Sequence, residues 1–262
     1  MTRMLVISDI HANKVALDAV LSDAKSQGYD QAVCLGDLVG YFFQPNEVVE
    51  TIRDRCDYVI MGNHDAAAAG LLSLDGFSDR ARQMICWTRS RLTKDNKKYL
   101  ASLPISLGLE DVFLFVHGSP QDRDTYMIDF SHISEQTAYL RQVYPNIRGV
   151  FYGHTHLPAF FDQEGAIQGP LEKQYSLDNG KVYFINPGST CQLRVYDSDM
   201  NMLALPQNGL GIASYGILDT ESLTFSFFEV KYPTSQIEED IRKRCCEAAR
   251  TWIGKRLDKL LH

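Results

Sequence analysis

Five of the seven histidines in this chain fall in short segments that also carry carboxylates or amides. The segments are Ser8-Asp9-Ile10-His11, Gly36-Asp37, Gly62-Asn63-His64-Asp65, His117-Gly118-Ser119 and Gly153-His154-Thr155-His156. Imidazole, carboxylate and amide groups all offer nitrogen or oxygen lone pairs to a divalent metal of intermediate hardness, and none of these segments offers a thiolate. Any one Asp-x-His or His-x-His pair is weak evidence, because such pairs also arise as capped turns or satisfied buried histidines. Five segments in order, each after a short apolar run, form a stronger pattern. They predict metal-assisted hydrolysis.

The donors divide into two sets. Asp9, His11 and His156 suit one ion, and Asn63, His117 and His154 suit a second. Asp37, with two oxygens, can join them. Two ions about 3.5–4 Å apart stabilise both the attacking and the leaving oxygen in phosphoryl displacement. Room for solvent on each ion separates such a centre from a closed structural site. His64 remains outside this set. With its neighbour Asn63 pointing at the metal, it is expected to face the substrate instead and to act on transition-state charge or on the leaving oxygen. The plainer reading is that His64 orders its own turn with Asp65. His132 reads as a helix-start residue and His262 as a chain end.

Such a set needs elements that bring it together. Met4-Leu5-Val6-Ile7, Ala32-Val33-Cys34-Leu35 and Tyr58-Val59-Ile60-Met61 are short, apolar and rich in β-branched residues, as buried parallel strands are. Helical spacing fills Lys14 to Lys25 and the stretch from Pro45. This strand–helix alternation predicts an α/β layered fold with right-handed crossovers. Ligands of such sheets bind beyond the carboxyl ends of the strands, where the candidate segments stand. Residues 66–103 read as helical, with Arg80, Arg82, Arg89 and Arg91 on a polar face. Further strands are expected at Val112–Val116, Val150–Tyr152 and Val182–Ile185, with a helix over Ser131–Val143. A hairpin near 214–227 is expected to belong to a second, more antiparallel sheet. Ile237, Ile241, Cys245, Ala248 and Trp252 fall at helical spacing, facing the core or, alternatively, a dimer partner, so a homo-oligomer stays open.

The bulk numbers agree with one soluble domain over residues 1–262. The formal net charge of -7 argues against an extended nucleic-acid surface. Six cysteines without a C-x-x-C pair fit reduced thiols and a cytoplasmic location. No stretch reaches membrane-spanning length, and no export signal is evident.

On Asp9-Ile10-His11, Gly36-Asp37, Gly62-Asn63-His64-Asp65, His117-Gly118 and Gly153-His154-Thr155-His156, taken in order, the sequence resembles the calcineurin-like metallophosphoesterases. The motifs span about the first 60% of the chain. Gly36-Asp37-Leu38-Val39-Gly40-Tyr41, His117-Gly118-Ser119-Pro120 and Asn186-Pro187-Gly188-Ser189 look like a compact prokaryotic branch, some of whose members resemble diadenosine polyphosphate hydrolases. The resemblance implies a four-layer αββα sandwich with two mixed β-sheets flanked by helices. It implies a dinuclear centre bridged by hydroxide, with metal ligands Asp9, His11, Asp37, Asn63, His117, His154 and His156, and His64 as the active-site histidine. Asp37 and His64 are the expected catalytic residues, and Asn63 and His64 the substrate-binding ones. The cofactors would be two divalent ions, drawn from Mn²⁺, iron, Zn²⁺, Co²⁺ and Ni²⁺. The substrate would be a small phosphodiester, a nucleotide or a dinucleoside polyphosphate. The alternatives are a phosphomonoesterase or protein phosphatase, and a silent binding scaffold of the same fold. Tyr41, Phe42 and Phe43 flank the expected site, where they either stack on a base or pack their own loop.

Overall fold

The computed structural model describes residues 2–166, 174–178, 180–191, 195–196, 202–203 and 210–235, with Ile237 and Glu239. Parallel strands β1 (Arg3–Ile7), β2 (Gln31–Cys34) and β3 (Tyr58–Val59) open the chain, joined by helices α1 (Lys14–Gln27) and α2 (Pro45–Arg55). The Asn13 side chain caps α1 by accepting from the Ala16 amide, and Pro45 starts α2 where a missing N–H costs nothing.

The stretch expected to be helical over 66–103 holds three helices: α3 (Asn63–Ala69), α4 (Asp79–Arg91) and α5 (Lys94–Ser102). Local chemistry makes the breaks. Gly70 takes a left-handed conformation that ends α3, while the Ser78 and Thr93 side chains cap α4 and α5.

The rest of the chain comprises β4 (Ser106–Leu109), β5 (Phe113–Val116), α6 (Phe130–Val143), β6 (Gly149–Phe151), β7 (Ala159–Asp162), β8 (Gly165–Ala166), β9 (Gln174–Ser176) and β10 (Tyr183–Asn186). A short pair, β11 (Val195–Tyr196) and β12 (Met202–Leu203), precedes the long hairpin β13 (Leu210–Asp219) and β14 (Thr224–Pro233).

Two six-stranded mixed sheets result. The first has the order β3-β2-β1-β13-β14-β9, the second β4-β5-β6-β10-β7-β8. The hairpin therefore belongs to the first sheet, not to the second as its position in the chain suggested. Its β13 pairs antiparallel with β1, Met4 facing Leu218, and so fills the side of β1 that β2 leaves open.

Side-chain alternation builds the layers. On β1, Leu5 and Ile7 meet Leu17, Val20, Val48 and Ile52 of the helices, while Met4 and Val6 point between the sheets toward Phe113, Phe115, Phe151 and Ile185. On β5, Leu114 and Val116 point the other way, to Ile133 and Leu140 of α6. Phe115 stacks on Phe151 at 5.0 Å between ring centres in the middle layer. Each fully buried side chain of this size contributes about 1.5–3 kcal/mol. Helices, sheet, sheet and helix form a four-layer αββα sandwich. With both faces of each sheet covered, strands read as unbroken apolar runs.

The expected helix carrying Ile241, Cys245, Ala248 and Trp252 lies outside the described residues, although Ile237 packs in the core beneath the helices. Among the described residues, no helix is long and apolar enough to cross a membrane.

Candidate metal centre

The candidate segments leave the carboxyl ends of β1, β2, β3, β5 and β6, so both sheets contribute to one buried site. An extended chain would set Asp9 and His11 on the same side. Instead, Asp9, His11 and Ala12 have φ of 53°, 50° and 62°. Asp37, His154 and His156, at 54°, 63° and 65°, are also left-handed. Non-glycine residues rarely adopt this conformation, and it costs about 1–3 kcal/mol at each position. Tight interlocking offsets that cost. The Ile10 and His11 amides both donate to Asp37 O at 2.9 Å, and Ala12 N donates to Leu38 O at 2.7 Å. The His154 amide donates to Asp9 Oδ2 at 3.1 Å. The His64 amide, in the first turn of α3, donates to Asp37 Oδ1 at 2.9 Å. A Cβ on Gly62 would lie 2.1 Å from that same oxygen, which is why a glycine stands there.

The side chains form two clusters that share one aspartate. In the first, His156 Nε2 lies 3.3 Å from Asp9 Oδ1 and 3.0 Å from His11 Nε2. In the second, His117 Nε2 lies 3.2 Å from Asn63 Oδ1. Asp37 Oδ2 is 3.6 Å from His11 Nε2 and 3.4 Å from His117 Nε2. One ligand atom each from Asp9, His11 and His156 lie within 4.8 Å of one another, and so, as a separate group, do one each from Asp37, His117 and His154. The structure thus brings all seven sequence-predicted donors to one place. His64 joins them from the side, within the same distance of His11 and Asp37. It is buried against His11, Tyr41 and Phe77, with ring centres 4.7, 4.9 and 5.3 Å away.

Backbone carbonyls select the nitrogens that face inward. His117 Nδ1 is 2.7 Å from Leu35 O, His11 Nδ1 is 3.2 Å from Val39 O, and His154 Nε2 is 3.1 Å from Asp124 O. An N–H donated to a carbonyl leaves the lone pair on the other nitrogen. His117 and His11 therefore present Nε2 to the centre, and His154 presents Nδ1.

The electrostatics call for cations. Asp9, Asp37 and Asp65 are buried, and no lysine or arginine among the described residues is buried. Burial pushes the Asp37 carboxyl up, but His117 and His64 outweigh it and hold the group well below the usual range. Asp9 is likewise low, with burial outweighed by His156. Burial opposes charge on His117, yet Asp37 holds its imidazole up at about 9. Burial, then His117, pushes His154 down to about 3. Asp9 Oδ1 is buried without a hydrogen-bond partner, and two imidazole nitrogens face each other across 3.0 Å. A divalent ion in each cluster would satisfy these lone pairs and carboxylates together, so the donor set fits the implied metals.

Two supporting residues were named in the sequence only within longer segments, without the roles they take here. Asn186, at the end of β10, donates its amide to Gly153 O at 2.8 Å and to Thr155 Oγ1 at 3.0 Å, and accepts from Gly188 N. It pins the loop that carries His154 and His156. Asp65 accepts from the amides of Leu38, Val39 and Gly62, tying the Asp37 loop to α3. The Asn-Pro-Gly turn signal marked Asn186 only as part of a family resemblance. Tyr41 and Phe43 are buried, Tyr41 against His11 and His64 and Phe43 against Trp87, so the loop packs rather than offering these two rings to a base. Arg89 donates to Ala67 O, and Arg82 to Phe77 O.

A family model described as the calcineurin-like phosphoesterase superfamily domain matches residues 2–207. Uncharacterized protein MJ0912 of Methanocaldococcus jannaschii is 35% identical over 256 residues, 96% of each chain. The crystal structure of a metallophosphoesterase from Sphaerobacter thermophilus matches at TM-score 0.77 and 31% identity, covering 95% of this chain and 97% of that one. Protein PH1004 from Pyrococcus horikoshii OT3 has TM-score 0.70 at 20% identity, over 96% and 97% of the two chains, a likeness of fold alone. Sequence match, sandwich and buried histidine–aspartate clusters agree, and this chain belongs to the calcineurin-like phosphoesterase superfamily.

Proposed function

We propose that this protein is a dinuclear-metal-dependent phosphoester hydrolase acting on a small phosphodiester, nucleotide or dinucleoside polyphosphate. The observation that carries this reading is the position of Asp37: one carboxylate oxygen lies within 3.6 Å of a histidine from each cluster. Asp9, His11 and His156 would hold one divalent ion, and Asn63, His117 and His154 the other, with Asp37 shared. Bound there, such ions would polarise phosphoryl oxygens and lower the pKa of a coordinated water.

The chain's own groups do the rest. The Leu35, Val39 and Asp124 carbonyls fix the tautomers of His117, His11 and His154, so that each neutral ring turns its lone pair inward for ligation. Asp65 and the His64 amide fix the orientation of Asp37 and its loop. Burial, helped by the imidazoles of His156 and His117, outweighs the pull of Asp37 and pushes the His64 ring down, toward its neutral form. A neutral imidazole retains one N–H, which can be donated to the departing oxygen or to charge building on the phosphoryl group. The sites of Asp9 and His64 are buried, so the reacting ester meets the centre in a low-dielectric setting where these interactions are strong.

The reading is tested by assaying purified protein, chelated and then resupplied with Mn²⁺, on bis(p-nitrophenyl) phosphate, p-nitrophenyl phosphate and a dinucleoside tetraphosphate. Metal-dependent release faster on the diester or the dinucleotide than on the monoester supports it. A protein that binds Mn²⁺ and turns over none of them is a scaffold, and the hydrolase reading falls.

A further inference from the structure

The turn after β5 carries an arginine that the ligand scheme does not use. Each second-cluster ligand has a neighbour in contact with Arg123 or Asp124. The Arg123 carbonyl lies over Gly118, next to His117, close enough that a Cβ on that glycine would sit 2.3 Å from it. The Asp124 carbonyl receives the His154 ring. The Arg123 guanidinium rests on Met61, two residues before Asn63, with Nη1 3.6 Å from the thioether sulfur.

This guanidinium is poorly partnered. Its side chain is 20% exposed, and Nε is buried with no hydrogen-bond acceptor. Asp124 Oδ1, at 3.5 Å from Nε, forms an ion pair beyond hydrogen-bond geometry, and that carboxylate is 43% exposed. A guanidinium has five donors, and a thioether is a weak acceptor. Leaving charged donors unmet away from water is costly. Arg89, by contrast, donates Nε to Ala67 O at 2.8 Å. The neighbouring Tyr126 ring lies 3.9 Å from the His154 ring and is 44% exposed, so this turn meets solvent on the same side.

We propose that Arg123 is a substrate-binding residue that grips a phosphoryl oxygen from outside the metal-ligand set, beside Asn63, His117 and His154. A fork of N–H donors matches a phosphate in geometry and charge, which a lone ammonium does not. The inference rests on the phosphoester reading for its substrate class, but binding of phosphate can be measured without turnover.

The test is calorimetric titration of inorganic phosphate into Mn²⁺-loaded wild type, R123Q and R123K, with metal content and Tm checked in each. Loss of a charged hydrogen bond predicts phosphate binding about 10- to 100-fold weaker in R123Q. R123K, which keeps the charge but not the fork, should be severalfold weaker. In ester assays KM should rise by a similar factor while kcat changes little. An increase for a dinucleoside tetraphosphate alone assigns the contact to a neighbouring phosphoryl group. An equal increase for bis(p-nitrophenyl) phosphate assigns it to the reacting one. Wild-type phosphate affinity in both variants, at full metal content, overturns the proposal. If R123Q does not fold, R123K decides by the same criterion. If the wild type hydrolyses no ester, the hydrolase reading fails by itself and the titration still judges Arg123.

Discussion

His11 and His154 converge on one candidate centre, yet their surroundings differ. His11 is sealed in the core, its Nδ1 held by Val39 O and its ring packed on Tyr41 and His64. His154 is roofed by Asp124 and Tyr126, from a turn whose neighbours Gln121, Asp122 and Ile128 are exposed. Both clusters are buried, but only the second is bordered by a turn, with Arg123 and an exposed tyrosine ring, that meets solvent. Asp37 reaches both clusters, so its loss should erase the distinction, whereas changes at residues that touch a single cluster should act on one half.

The largest effect is expected there. Asp37→Asn should lower Mn²⁺ occupancy in both clusters and cut kcat/KM by about 10²–10³-fold or more. Retention of two Mn²⁺ per chain, read by elemental analysis, would end the bridging role. His64→Ala should leave metal content intact and lower kcat about 100-fold. Equal turnover in a well-folded variant would reduce His64 to an organiser of its turn.

Asn186→Ala frees the loop that carries one histidine of each cluster. Metal affinity should fall about 10- to 100-fold, the usual cost of losing a partner behind the ligands. Competition with a chromogenic chelator measures it, and unchanged affinity would show that the backbone alone holds the loop.

The smallest effect sharpens the second cluster alone. In chelated protein, Asp37 holds His117 at about 9, above the ordinary 6.5, so its proton favours the folded state. That stability is fully present below pH 6.5 and is lost as pH rises toward 9. Asp65, pushed up to about 7 by burial and then by Asp37, loses its contribution lower, between 3.8 and 7. His154, pushed down to about 3, has the opposite sign: its contribution grows from pH 3 and is complete by 6.5. Above neutrality His117 dominates these three. Tm in EDTA should therefore fall between pH 7 and 9, and His117→Gln should flatten the fall. A level wild-type profile over that range would remove the charged His117.

The sequence disclosed the strands and the donors for the same reason. Runs such as Met4–Ile7 and Phe113–Val116 are apolar on both faces because sheets and helices cover both, and donors just beyond them must sit at the sheet ends. What stayed hidden depends on long-range pairing. Nothing local in residues 214–227 tells which sheet the hairpin joins, since its partner β1 lies about 210 residues earlier. Polar donors in extended-looking stretches gave no hint that Asp9, His11 and His156 are left-handed. Asn186 and Arg123 read as ordinary loop chemistry, because their meaning comes from which carbonyl or sulfur lies opposite.

The surroundings of Asp9 also dictate when the centre can come into being. Its carbonyl receives the Ser189 hydroxyl and the Cys191 amide, and its carboxylate receives the His154 amide, partners synthesised 145 to 182 positions later. A nascent chain must therefore wait for most of its length to emerge from the ribosome before that pocket closes. The full donor set is complete only late in assembly, after the His154 and Ser189 loops have closed on Asp9.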